Sequence, residues 1–305
     1  VSSVPGDRGQ LSTEAIHPAS EALDRMSVSA AVELMTREDS GVAEAVDAAR
    51  ADIAAAIELV VDRLRAGGRL IYVGAGTSGR LGMLDAAECP PTFQSSPELV
   101  QGVIAGGERA LLHAVEGAED SREDGATMMA ARGIGPADVV FGITAGGTTP
   151  YVHGALEAAR ARGARTVFFA CVARAEVPDT ADVSIRVLTG PEVIAGSTRL
   201  KAGTATKMVL NMVSTLTMVQ LGKVHGNLMV DVNTAGSEKL QDRGERLVQH
   251  IAAVSRDEAR SLLIRASGSV KLAVLVHLRG LNVDEASARL RAAGGHLRRA
   301  LEHAP

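Results

Sequence analysis

The sequence predicts an α/β fold: a doubly wound, parallel, five-stranded sheet, preceded by N-terminal helices and followed by a small C-terminal helical domain. Three observations carry that prediction. Five short apolar runs, at Leu70–Val73, Leu99–Ala105, Asp138–Thr144, Arg165–Cys171 and Val183–Leu188, have strand length, and most are bounded by Gly, Pro or Asp. Helical patterns separate the first four, and strands alternating with helices at this spacing pair in parallel. Two loops rich in glycine and hydroxyls, Gly74–Gly79 and Ala145–Thr149, follow strand-like runs, which is where the crevice of an open α/β sheet lies.

The composition narrows the class. A chain of 305 residues with 46% hydrophobic and 22% charged residues is long enough for one large core with an appendage. Net charge is −4 with no basic tract, and four Phe, two Tyr and no Trp leave few stacking platforms, so nucleic acid is not an expected partner. No uncharged apolar run approaches membrane-spanning length and no secretory leader is read, so no membrane is expected either. Cys89 and Cys171 lie far apart without CxxC or His clustering, which argues for reduced thiols in a cytoplasmic protein rather than a disulfide scaffold or structural zinc.

Taken in order, residues 1–12 are polar and expected to be loose, and 13–66 to be helical. Val42, Val46, Ile53, Ile57, Val60, Val61 and Leu64 recur at threes and fours, the stripe of helices that pack on the sheet or on a partner, and Gly67-Gly68 ends it. Residues 67–235 form the sheet domain. Its first helix, opening at Thr77–Gly79, is expected to stop at Pro90-Pro91, and its last runs from about Ser197 to Val224 with Ala205, Met208, Val209, Met212, Val213, Leu216 and Val219 inward. Gly236–Asp242 reads as a polar connection, and short helices follow to the end of the 236–305 domain, with capping boxes at Ser255/Glu258 and Asn282/Glu285.

The glycine loop is the chemical landmark. Gly76, Thr77, Ser78 and Gly79 join a strand to a helix start, where unpaired first-turn N–H groups and hydroxyls suit a phosphate. It is not a Walker loop, since no Lys-Ser/Thr follows, and as a dinucleotide fingerprint it has only Glu108 for its acidic residue, late and behind two glycines. Gly146, Gly147 and Thr149 make a second such loop, and Ser197 and Thr198, with Lys201 one turn on, a third candidate contact, although a lysine such as Lys201 is more often a solvated charge. Together they suggest one crevice for a phosphorylated small molecule. Glu88, before Cys89-Pro90-Pro91, meets the negative end of its helix, which favours the protonated form of a proton donor, though a solvated carboxylate fits too. The acidic run Glu116, Glu119, Asp120, Glu123, Asp124 reads as a solvated helix start or a catalytic acid, and spacing selects none of the five. The histidines are isolated, with no H-x-x-x-H, so no catalytic metal is expected, and Ser78 lacks the G-x-S-x-G elbow of a covalent serine.

The stretches GAGTSGRLGMLDAAECPPTF, IAGGERALLHAVEGAEDSRED, STRLKAGTATKMVLNM and GKVHGNLMVDV resemble the N-acetylmuramic acid 6-phosphate etherases of the sugar-isomerase (SIS) superfamily, from about Thr13 to the C-terminus. The resemblance implies cleavage of the D-lactyl ether at C3 of a sugar phosphate in cell-wall sugar recycling, a homodimer, and no metal or organic cofactor. It assigns the proton donor to Glu88 in A-x-E-C-P-P and a second catalytic glutamate, the base, to Glu119 in E-G-A-E-D. Two departures stand out: Gly146 occupies the place of the superfamily's usual S-G-x-T serine, and His17-Pro18 stands where many etherases carry Asn-Pro. The alternatives on this fold are a sugar-phosphate aldose–ketose isomerase, which would expel nothing from C3, and a non-catalytic sugar-phosphate sensor.

Overall fold

A computed structural model describes residues 8–234 and 236–302, which gather into two compact units. The first holds the chain up to Ala87 and from Glu98 to Ser214; the second holds Glu88–Pro97 and the chain from Thr215 onward.

In the first unit α1 (Val28–Ser40), α2 (Val42–Ala48) and α3 (Arg50–Arg65) lead into β1 (Leu70–Gly74) and the start of α4 (Gly76–Phe93). There follow β2 (Val100–Ile104), α5 (Arg109–Leu112), α6 (Arg122–Ala131), β3 (Val139–Ile143), α7 (Pro150–Ala161), β4 (Arg165–Ala170), β5 (Val183–Arg186) and the greater part of α8 (Lys201–Gln220). All five expected strands form one parallel sheet, ordered β2-β1-β3-β4-β5. β1 and β3 are buried on both faces, so they read as continuous apolar runs rather than alternating ones. Tyr72 and Phe141, register partners on these strands, pack edge to face with ring centroids 5.5 Å apart. The strand order reverses between β1 and β3, and both glycine loops leave the carboxyl ends flanking that switch point.

The α3 stripe is buried as its periodicity requires, and Gly67 closes the helix at φ 85°. A second tie is polar: Asp85 of α4 accepts from Asn211 Nδ2 (2.9 Å) and Ser214 Oγ (3.1 Å) of α8, and burial pushes its carboxyl up.

Three expectations are corrected. Residues 1–7 of the loose segment lie outside the described residues, but Leu11 is buried and the Ser12 N–H donates to Glu176 Oε1 at 2.7 Å, so the chain is already tied there. α4 does not stop at Pro90-Pro91 but runs through both to Phe93. Two prolines remove two helix donors, yet the Gln94 N–H still reaches Pro90 O at 2.9 Å, so Glu88 sits more than a turn inside the helix end. Finally, the polar connection at 236–242 is largely the first turn of α9 (Glu238–Ala252), whose cap Ser237 accepts from the Leu240 N–H.

The second unit accordingly begins before residue 236. A hairpin, β6 (Val224–His225) and β7 (Leu228–Met229), turns through Gly226-Asn227 with Gly226 at φ 60°. Val230 and Val232 then enter an apolar core with Val248, Leu262, Val274 and Leu275. After α9 come α10 (Arg256–Arg265), α11 (Val270–Arg279), α12 (Val283–Ala292) and α13 (Leu297–Glu302). The last four form two like hairpins. Each has a polar cap (Ser255, Asn282), a buried alanine (Ala259, Ala286), a left-handed pair at its turn (Ser267-Gly268, Gly294-Gly295) and a second buried alanine (Ala273, Ala300). Asn282 and Glu285 complete a full capping box.

Candidate active site

The first loop works through close backbone approach. A Cβ on Gly74 would lie 2.6 Å from Gly79 N, and one on Gly79 would lie 2.8 Å from Gly74 O, so strand end and helix start meet backbone to backbone. Gly76 turns the chain at φ 52°, and of the first-turn N–H groups of α4 that of Gly79 is taken by Ala75 O at 3.1 Å, while those of Gly76, Thr77 and Ser78 precede the first helical acceptor. Thr77 and Ser78 are half-buried beside them, and the Thr77 methyl lies 3.6 Å from where a Cβ on Gly203 of α8 would sit.

An open cavity adjoins this turn, walled by Ala75, Gly76 and Arg80 on one side and the segment Ala114–Glu119 on the other. Its charged lining groups are Arg80, Glu116 and Glu119. Glu119 rides a 3₁₀ turn, Ala118–Asp120, behind Gly117 at φ 73°. Ser121 then caps α6, accepting from the Asp124 N–H at 3.0 Å, and Glu123 and Asp124 fall in the helix's first turn, where the dipole favours them. The acidic run thus divides into two cavity residues, Asp120 at the end of the 3₁₀ turn and two acids at a helix start, a division that spacing could not make.

In the second loop Thr149 Oγ1 and Thr144 Oγ1 lie 2.8 Å apart, and His153 Nε2 donates to Gly147 O at 2.7 Å. Burial pushes the His153 imidazole down, which keeps it a neutral donor pinning the loop.

The third contact is built differently from its expectation. Glu192, fully buried, accepts from the N–H groups of Lys201 (3.0 Å) and Ala202 (2.9 Å), so the start of α8 already holds an internal carboxylate. The Lys201 ammonium is itself buried and paired with Glu38 Oε2 at 2.9 Å, the oxygen that also meets His17 Nε2 at 2.9 Å. Lys201 is therefore a structural cation, while Ser197 and Thr198 remain half-buried at the helix entry. His17 Nδ1 accepts from the Ala19 N–H, serving as the cap of the short turn at Pro18–Ser20. Glu192→Ala leaves two buried N–H groups unpaired and is expected to cost about 2–3 kcal/mol, read as a fall of several degrees in the melting midpoint. Glu192→Gln, which keeps an acceptor, should lose less.

Glu88 is exposed, belongs by its contacts to the second unit and does not line the cavity that holds Glu119. Cys89 and Cys171 are both buried and not joined in a disulfide, and burial pushes the Cys171 thiol up to about 12, which makes it inert as a nucleophile.

Comparison with known proteins adds a family. Residues 52–160 match the model of the glucokinase regulatory protein N-terminal SIS domain. An N-acetylmuramic acid 6-phosphate etherase of Synechocystis sp. is 55% identical over 299 residues, covering 98% of both chains. The Nostoc sp. protein of the same name is 56% identical over 295 residues, 97% of this chain and 96% of that one. The chain belongs to the N-acetylmuramic acid 6-phosphate etherase family. A third etherase, from Gloeothece citriformis, is 54% identical across 98% of this chain and 97% of its own.

Within this etherase framework the glycine at 146 invites a test. A Cβ there would meet Thr13 Oγ1 at 3.6 Å and Leu11 Cδ1 at 3.8 Å, ordinary contacts, and the buried Thr13 hydroxyl has no hydrogen-bond partner among the described residues. Gly146→Ser should therefore fold unstrained, supply that hydroxyl with a partner and gain about 1 kcal/mol in thermal unfolding. A lower melting midpoint would show that the loop has no room for the side chain.

Proposed function

We propose that this chain is a carbon–oxygen lyase that cleaves the D-lactyl ether of N-acetylmuramic acid 6-phosphate, giving N-acetylglucosamine 6-phosphate and D-lactate in cell-wall sugar recycling. The observation that carries the reading is identity above half, end to end, with proteins named for that etherase. The cavity beside the glycine loop supports it, because it sets a carboxylate next to an anion-binding turn.

The chemistry follows from the substrate. In the open-chain sugar the C2 hydrogen is acidified by the C1 aldehyde, and Glu119 removes it as general base. The electrons left at C2 expel the C3 oxygen as it takes up a proton, the role that the family resemblance gives Glu88, which lies outside the lining of the Glu119 cavity, and this forms lactate and an α,β-unsaturated aldehyde. Water adds at C3, a proton returns to C2, and the sum is ether plus water giving alcohol plus lactate. Gly76, Thr77, Ser78 and Gly79, with Gly146, Gly147, Thr149, Ser197 and Thr198, hold the phosphate, whose binding energy fixes C2 and C3 for the reaction.

The purified protein with N-acetylmuramic acid 6-phosphate should release D-lactate, and in D2O the sugar product should carry deuterium at C2. An isomerase would release none, and lactate without label at C2 would rule out elimination. We place the protein in the cytoplasm, in keeping with two cysteines that are buried and not joined in a disulfide. We also propose a homodimer: Val28, Val32 and Met35 make an exposed apolar stripe on α1, at 82%, 57% and 37% exposure, which a second copy would cover. Sedimentation of an active monomer would refute that assembly.

A further inference from the structure

The etherase reading accounts for one of the substrate's two anions. N-acetylmuramic acid 6-phosphate carries a phosphate at C6 and a carboxylate on the lactyl group at C3, and only the first has a binding site above. The cavity at Glu119 is already charged: Glu116 and Glu119 are both acids, so a lactyl carboxylate entering it meets repulsion unless a cation faces it. Arg80 is the cation among its described lining residues.

Arg80 stands one turn beyond Gly76 on α4, on the face that Gly76 opens, and a helical side chain leans back toward its N-terminus. Its guanidinium is held in place by neutral groups: Nε donates to Leu111 O at 3.2 Å and Nη2 to His113 O at 3.3 Å. Among the described residues it makes no ion pair, so its charge and its remaining N–H groups are uncommitted. Those two carbonyls belong to the segment that runs on to Glu119. The cation is thus tied to the strip of chain that delivers the base to C2, and the anion attached next to C2 is the one at C3, not the one at C6.

We propose that Arg80 is a specificity-determining residue that binds the carboxylate of the C3 lactyl group, an assignment that rests on the etherase reading. It accepts a 3-O-carboxyalkyl ether and orients the departing lactate, while the phosphate is left to the glycine loops. The product sugar phosphate has no such carboxylate, so its affinity does not depend on Arg80.

Three ligands and three proteins test this. For Arg80→Gln, KM for N-acetylmuramic acid 6-phosphate should rise about ten- to hundredfold, the loss of a charge-assisted hydrogen bond, with the dissociation constant for N-acetylglucosamine 6-phosphate unchanged. Arg80→Lys keeps the charge without the planar fork and should recover part of the loss. In the unaltered protein the lactamide analogue of the substrate should show the same rise in KM, and Arg80→Gln should add nothing to it. Equal weakening of substrate and product by Arg80→Gln would overturn the assignment in favour of a phosphate or loop-holding role. So would unaltered turnover of the lactamide by the unaltered protein, an outcome that no misfolded variant can mimic. A protein that releases no lactate from the parent substrate would remove the etherase reading itself, before any variant is made.

Discussion

Glu119→Gln is expected to lower kcat for lactate release by about 10²–10⁴, the usual loss when a positioned general base is removed. The amide keeps the size of the side chain and its place on the turn behind Gly117, so the cavity keeps its shape. Binding of N-acetylglucosamine 6-phosphate should persist, because the phosphate loops are untouched. Exchange of the C2 hydrogen with solvent should vanish along with turnover, since both begin with the same proton transfer. If lactate release stays near normal, a different group takes the proton, and Glu116, on the same cavity wall, is the first to examine.

Glu88→Gln should lose lactate release to a similar extent for the opposite reason. An alkoxide is a poor leaving group, and a proton delivered as the C3–O bond breaks is worth about 10²–10⁴ in rate. The variant should still exchange the C2 hydrogen with solvent, which no Glu119 variant should do. It should also be rescued by a substrate whose C3 substituent leaves without a proton, such as a 3-fluoro analogue. A Glu88→Gln protein that fails to exchange C2 would place Glu88 in the first step and contradict the division of labour. The two variants are separated by one isotope measurement rather than by the size of their defects.

Periodicity and punctuation make most of the fold legible. Most of the five strands were bounded by Gly, Pro or Asp, and the α3 stripe repeated at threes and fours, so both form where expected. Pro90 and Pro91 misled because local propensity yields to packing: Cys89 and Phe93, on either side of them, are buried, and the helix that carries them continues. Leu11 was invisible because one apolar residue in a polar run has no period at all. The glycine loops were legible because unpaired helix-start donors are a local property. Glu192, Glu38, His153 and Arg80 were not, since Glu38 finds its partner far along the chain and the others bond to backbone N–H or carbonyl groups, which carry no side-chain signal. Lys201 shows the limit most clearly: its place one turn past a hydroxyl pair suggested a ligand contact, and only the fold brings Glu38 to it.

The second unit is stitched from two separate lengths of chain, Glu88–Pro97 and the stretch from Thr215 onward. On a ribosome the first length emerges long before its partners, and it must wait, unsatisfied, while most of the sheet is still being made. Late truncation is therefore no clean excision: a stop codon at residue 236 would remove the helices that cover Val230 and Val232 and leave those valines, with the earlier stitch, bare to chaperones and proteases.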